Sequence, residues 1–243
     1  MEKQIFEKLE KIENKYNRLK IMYLVSTIGL TGLMLLVSFK HVDSFDIIKA
    51  KGIVIQDQNG RDRILIGSPV PPSKDRVRTD SNLVKKYWAS KFNNPDEYMG
   101  WYKKYKNTSN GIIFMNENGF DEVLVGDNLA DANVGVRSYK LSGILVNDKS
   151  GWECVGAGVN TLDNGKTRQG FGVDDDSGEA MHMLCFEDGS KGLIIGGENG
   201  SLRIGMAHNP GELLQNKGKF TGIKFFDTDG KVIWEQDLTE KKK

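Results

Sequence analysis

Acidic side chains recur beside glycines at one spacing. Ile53–Gly60 reads IVIQDQNG, and the pattern returns from Ile112 (IIFMNENG), Ile144 (ILVNDKSG), Phe171 (FGVDDDSG) and Ile223 (IKFFDTDG). The fifth residue is Asp57, Asn116, Asp148, Asp175 or Asp227. The eighth is Gly60, Gly119, Gly151, Gly178 or Gly230. Carboxylates so placed have three uses. They can ligate calcium, act as acid and base on a polymer such as a glycan, or open a tight turn. In a turn the carboxylate accepts from a backbone N–H two residues on, and the glycine takes φ > 0. The turn reading is preferred, with the boxes joining β-hairpins.

Asp174, Asp175 and Asp176, with Glu179, form the densest acidic cluster and are the candidate for calcium. The boxes lack the bidentate downstream Glu of an EF-hand loop, so no metal and no cofactor is assigned. His41, His182 and His208 are scattered, and no zinc spacing, phosphate loop or nucleophile elbow is present. His182, between Met181 and Met183, reads as a strand residue rather than a base. Cys154 and Cys185 can pair once at most, and two buried thiols are the preferred reading. No catalytic residue is assigned. The alternative is an envelope enzyme acting on a glycan or other polymer through acidic turn residues.

The elements that carry the boxes are β-strands. Box starts lie 59, 32, 27 and 52 residues apart, which suits a hairpin framework with loops inserted rather than a regular solenoid. A degenerate copy is expected at 193–205, with Gly200 as its turn glycine. The largest insertion, about 71–110, reads as helical. Ser81 is placed as one cap and Asn94-Pro95-Asp96-Glu97 as a second helix start. Tyr98, Trp101, Tyr102 and Tyr105 then fall on one helix face. Nine Lys/Arg stand between Lys74 and Lys106 against four Asp/Glu. Tyr98, Trp101, Tyr102 and Tyr105, with Lys85, Lys86, Lys103 and Lys104, are the candidate contact with a membrane or partner surface. The preferred reading packs the aromatic face on the β domain.

Residues 21–39 are apolar and uncharged, bracketed by Lys20 and Lys40. As a helix they span about 28 Å, close to the thickness of a bilayer core. They are expected to be an uncleaved transmembrane anchor, since 20 residues precede them and no small-x-small site follows. Gly29 and Gly32 would allow close helix contact. Six Lys/Arg precede the run against three in 40–60, placing the N-terminus in the cytoplasm and the C-terminal domain outside. In the arm, residues 1–20, Ile5, Leu9, Ile12, Tyr16 and Leu19 form a heptad seam suited to parallel self-association. A helix lying on the membrane surface is the alternative.

The segment Ile48–Gly67, IKAKGIVIQDQNGRDRILIG, resembles bacterial membrane-anchored proteins in which an anchor precedes Asp-x-x-Gly-x-x-Arg hairpin repeats. Only Arg63 keeps the arginine; later copies have Glu122, Cys154, Met181 and Ile233. The resemblance covers the first box and implies an envelope protein, with no activity attached.

The 34 Lys+Arg and 33 Asp+Glu nearly balance, which gives no support to a nucleic-acid partner. The expectation is a mainly β protein: cytoplasmic arm 1–20, transmembrane helix 21–39, juxtamembrane linker 40–52 and a hairpin-repeat domain 53–243. Five separate hairpins would leave exposed edges, so a homo-oligomer, a trimer first, is expected. The function read is a non-enzymatic, membrane-anchored structural or binding protein of the cell envelope. Its partners are the lipid bilayer, copies of itself and another envelope protein.

Overall fold

The computed structural model describes residues 2–38, 47–176 and 178–239. The chain divides into two units, one ending at Lys49 and one beginning at Ala50. The first holds α1 (Glu2–Ser38), a single helix through both the arm and the apolar run. Ile5, Leu9, Ile12, Tyr16 and Leu19 are all exposed on it. Among the described residues no helix is long and apolar enough to cross a membrane. The side chains of 35–38, Phe39 and the linker residues 40–46 with His41 lie outside that description, as do Lys241, Lys242 and Lys243.

The second unit is one antiparallel sheet of twelve strands in simple chain order. The strands are β1 (Gly52–Gln56), β2 (Asp62–Gly67), β3 (Asn110–Met115), β4 (Asp121–Asp127), β5 (Lys140–Asn147) and β6 (Glu153–Thr161). They continue as β7 (Thr167–Asp175), β8 (Gly178–Cys185), β9 (Lys191–Gly197), β10 (Gly200–Ala207), β11 (Phe220–Phe226) and β12 (Val232–Asp237). The hairpins are therefore hydrogen-bonded to one another, and among the described residues only β1 and β12 are edges. This corrects the expectation of separate hairpins with many open edges.

Four boxes adopt the expected turn. Asp57, Asn116, Asp148 and Asp227 each accept, through the side chain, the N–H two residues on and the N–H four residues on, at 2.7–3.2 Å. Gly119 shows why the eighth position is fixed. Its φ is +83°, and a Cβ there would stand 1.9 Å from the Asp75 carbonyl oxygen. The fifth box differs. Asp175 pairs directly with Gly178, and the register shift lies inside the strand at Val173/Asp174. The copy at 193–205 is a hairpin of β9 and β10, with Gly197 paired to Gly200. Two further turns, Leu162–Gly165 and Phe186–Gly189, close with the same backbone hydrogen bonds as the boxes. They begin with an apolar residue, which hid them from the Asp-x-x-Gly pattern.

The insertion between β2 and β3 holds α2 (Ser81–Tyr87) and α3 (Pro95–Tyr102). Asp80, not Ser81, caps α2, accepting from Asn82 and Leu83 N–H; Asn94 caps α3 as expected. Trp88, Tyr98, Val77, Val84 and Phe120 bury one another, joining the insertion to the β3–β4 turn. Buried Arg76 clamps the insertion to β4, its Nε and Nη2 donating to the two Asp121 carboxylate oxygens at 2.8 and 2.7 Å. A second apolar cluster under this side joins Leu65, Ile113, Leu124 and Leu145. A third joins Ala207, Leu213, Leu214 and Phe220.

The pairing registers give the two faces different characters. On the covered face, one row across the sheet reads Gly52, Gly67, Gly111, Gly126, Gly143, Gly158, Gly170, Leu184, Gly192, Gly205, Gly222 and Asp237. Two residues along, the next row on that face begins Val54, Leu65, Ile113, Leu124, Leu145 and continues Gly156, Gly172, His182, Ile194. The opposite face carries one row of Ile53, Ile66, Ile112, Val125, Ile144, Ala157, Phe171, Met183, Leu193, Ile204, Ile223 and Gln236. Its second row is Ile55, Ile64, Phe114, Val123, Val146, Val155, Val173, Met181, Ile195, Leu202, Phe225 and Trp234. Residues two apart on a strand share a face, so these rows form one apolar band. None of its members is buried in the chain, and Met183 is 56% exposed.

Candidate functional site

A hollow opens on the covered face where its inner row changes from leucine to glycine. Gly156, Gly158, Gly170 and Gly172 form the floor on β6 and β7, and Leu141, Leu145, Leu184 and Phe186 stand around it. The cavity measures about 510 Å³. No side chain rises from the floor, so the groups on neighbouring positions lean across it. A Cβ on Gly156 would stand 2.7 Å from Glu153 Oε1, and one on Gly172 would stand 2.8 Å from His182 Nε2. Gly156 and Gly172 are themselves paired, which places a carboxylate and an imidazole over adjacent floor residues.

The rim is charged and largely paired. Arg137 reaches Glu153 at 2.8 Å and Asp131 at 3.4 Å. Burial pushes the Glu153 carboxyl up, against the pull of Arg137. Burial works against Arg137 too, but Glu153 and Asp131 hold it above the usual guanidinium range. Asp174 is raised by burial and by Glu179 beside it. On the far side Arg168 grips Glu187 through two bonds of 2.5 and 2.6 Å. That contact draws the Glu187 carboxyl down to about 2. Arg137 Nε and Asn160 Oδ1 line the hollow, buried and without hydrogen-bond partners among the described residues. Unmet donors and acceptors beside a bare floor suit a flat, hydroxylated ligand.

The sequence candidates scatter. Asp174 lines the hollow, while Asp175 belongs to the β7–β8 pairing and Asp176 is exposed at its turn. Among the described residues no group of three or more His, Cys, Asp or Glu is arranged to hold a metal ion. The box residues Asp57, Asn116, Asp148 and Asp227 work as turn formers. Cys154 and Cys185 are free thiols, each half-buried rather than buried. Tyr98 and Tyr102 do not face outward: α3 turns them into the cluster with Trp88 and Val84. That corrects their candidacy for surface contact. Tyr105 stacks on Tyr102 at 5.4 Å. Trp101 stays 42% exposed, and Lys85, Lys86, Lys103 and Lys104 are all exposed.

Arg137, Glu153, Asp131 and the floor glycines went unmarked in the sequence. Arg137 and Asp131 sit in the β4–β5 loop, and no local spacing links them to Glu153. The one available signal was the alternation of β8. It sends Met181 and Met183 to the apolar band and His182 to the hollow. Comparison with known protein families, characterised proteins and solved structures finds no match to the chain.

Proposed function

We propose that the protein is a non-enzymatic structural or binding subunit, anchored to the cell envelope membrane by residues 21–39 and working as a homo-oligomer, a trimer first. The observation that carries this reading is the apolar band, two residues deep and twelve strands long, left open by the chain's own fold. Twelve strands about 4.8 Å apart and two rows about 7 Å each make a patch of roughly 800 Å². Monomers rarely leave more than about 300–600 Å² of contiguous apolar surface, while a stable interface takes about 800 Å² from each partner. The exposed seam of α1 supports association in parallel. The excess of Lys and Arg before residue 21 supports a cytoplasmic N-terminus and an exported sheet.

The test is the absolute mass of the full chain in detergent. A multiple of 27.2 kDa is expected, and a single-chain mass overturns the reading. An introduced Thr239→Cys, labelled in intact cells with an impermeant reagent, checks orientation. Failure to label overturns export.

A second reading rests on the hollow. Glu153 and Asp174, both raised, lie beside the bare floor, which favours an envelope glycan as ligand or substrate. Alanine at Asp174, Asp175 and Asp176 separates the two. Lost activity on a glycan with the fold intact supports an enzyme, and unchanged function supports the structural role.

A further inference from the structure

We infer that three copies of this chain close their apolar bands around one axis, in parallel and in register, as a three-sided prism about 53 Å long. The inference rests on the homo-oligomer proposed above and adds how the copies close their bands around the axis and how they align. Copies of the chain are the occupant the band fits. Its two rows hold no charged residue, and its area matches one side of a stable interface.

The depth of the band decides the number. A band two rows deep has no interior row. If two sheets faced each other, each row would keep one flank open to water. Around a threefold axis, each row abuts a row of the next sheet at the corner, and no flank stays open. The strands run five to nine residues, about 17–30 Å. A triangle of that side has its faces roughly 5–9 Å from its centre, room for a layer of Ile, Val and Phe side chains from each sheet. The covered face, with its insertion and glycine floor, then points outward. Closure about an axis parallel to the strand stack sets each strand level with its own copies.

The test uses the full chain in detergent, with Cys154 and Cys185 changed to serine and a trifunctional maleimide as probe. Ile66→Cys and Ile204→Cys lie on β2 and β10, far from the middle of the sheet. In parallel register each meets its own copies, so both are expected to give a three-chain product. Lys103→Cys, exposed on the insertion, gives none. Two-chain products alone overturn the threefold closure. Cross-linking at Phe171→Cys, mid-sheet, without the other two means antiparallel copies and overturns the register. An oligomeric mass with no cross-link in the band means the copies associate elsewhere, and overturns this inference alone. A single-chain mass overturns the oligomer itself. The unaltered chain gives a check free of folding artefacts. Met181 and Met183 are expected to resist hydrogen peroxide, and oxidation at the rate of free methionine overturns the closed band.

Discussion

The imidazole of His182 lies over the α-carbon of Gly172, its directly paired neighbour: a Cβ there would stand 2.7 Å from His182 Cδ2. The floor of the hollow is therefore bare because its neighbours already occupy the space above it. Gly172→Ala forces the ring aside. Overpacking of this kind costs about 1–3 kcal/mol. The melting temperature is expected to fall by about 2–4 °C for each kcal/mol in a domain of this size. Gly197→Ala, where nothing lies within 4 Å of the added carbon, is the control and should melt close to the parent. Equal melting of the two variants would overturn this placement of His182.

Gly60 and Gly119 hold the same turn position with φ of +74° and +83°, yet their surroundings differ. A Cβ at Gly60 meets nothing, whereas one at Gly119 runs into the Asp75 carbonyl. Alanine at Gly60 costs only the left-handed backbone, about 1–2 kcal/mol. Alanine at Gly119 adds a backbone clash and should cost about 2 kcal/mol more. Urea titration of both variants measures the gap, and no gap means the insertion does not press on this turn.

The carboxyls of Glu187 and Glu153 shift in opposite directions, so they respond oppositely to acid. Glu187 is depressed to about 2 by Arg168. Its contribution is present above the ordinary carboxylate value and is lost as pH falls toward 2. The melting gap between the parent and Glu187→Gln should therefore close over that window. Glu153 is raised by burial. The folded chain takes up that proton before the unfolded one does, so the parent gains stability relative to Glu153→Gln as pH falls from 7. Melting curves of the three chains from pH 7 to pH 2 check both signs.

Arg76 and Asp121 hold the insertion to the sheet from side chains 2% and 9% exposed. Asp121→Asn leaves a buried guanidinium without its counter-charge, at a cost of about 3–5 kcal/mol. Trypsin is expected to cut the variant at Lys85, Lys86 or Lys91 before it cuts the strands. Cleavage first within the sheet would mean that the clamp does not hold the insertion.

What was legible in the sequence was what is local. Asp57, Asn116, Asp148 and Asp227 bond within their own turns, so spacing alone reveals them. The cap at Asn94, with Pro95 opening the helix, is local in the same way, and the aromatic face of α3 was readable from its period. The glycine row was not. Gly67 and Gly111 are paired across an insertion whose length no motif encodes, so their alignment appears only once the strands are registered. The hollow is hidden for the same reason, because Arg137 meets Glu153 across a loop. The apolar band was half visible: each box begins with apolar residues at its first and third positions. That the rows run on from strand to strand, until Gln236 ends one of them on β12, depends on hairpins whose turns lack the box.

Ile144 sits near the middle of that band, 46% exposed in a single chain. Ile144→Asp separates two accounts of the face. On a face open to water the change is a surface substitution and costs no more than about 1 kcal/mol, the range of strand propensity. On a face closed against other copies it places a carboxylate among apolar side chains, where an unpaired charge is far more costly. The variant is then expected to lose oligomeric mass in detergent while keeping its β-sheet circular dichroism. Its melting temperature should also lose the dependence on protein concentration that an assembled parent shows. A variant that keeps both the mass and the concentration dependence of the parent would leave the band open to solvent and place the contact between copies elsewhere.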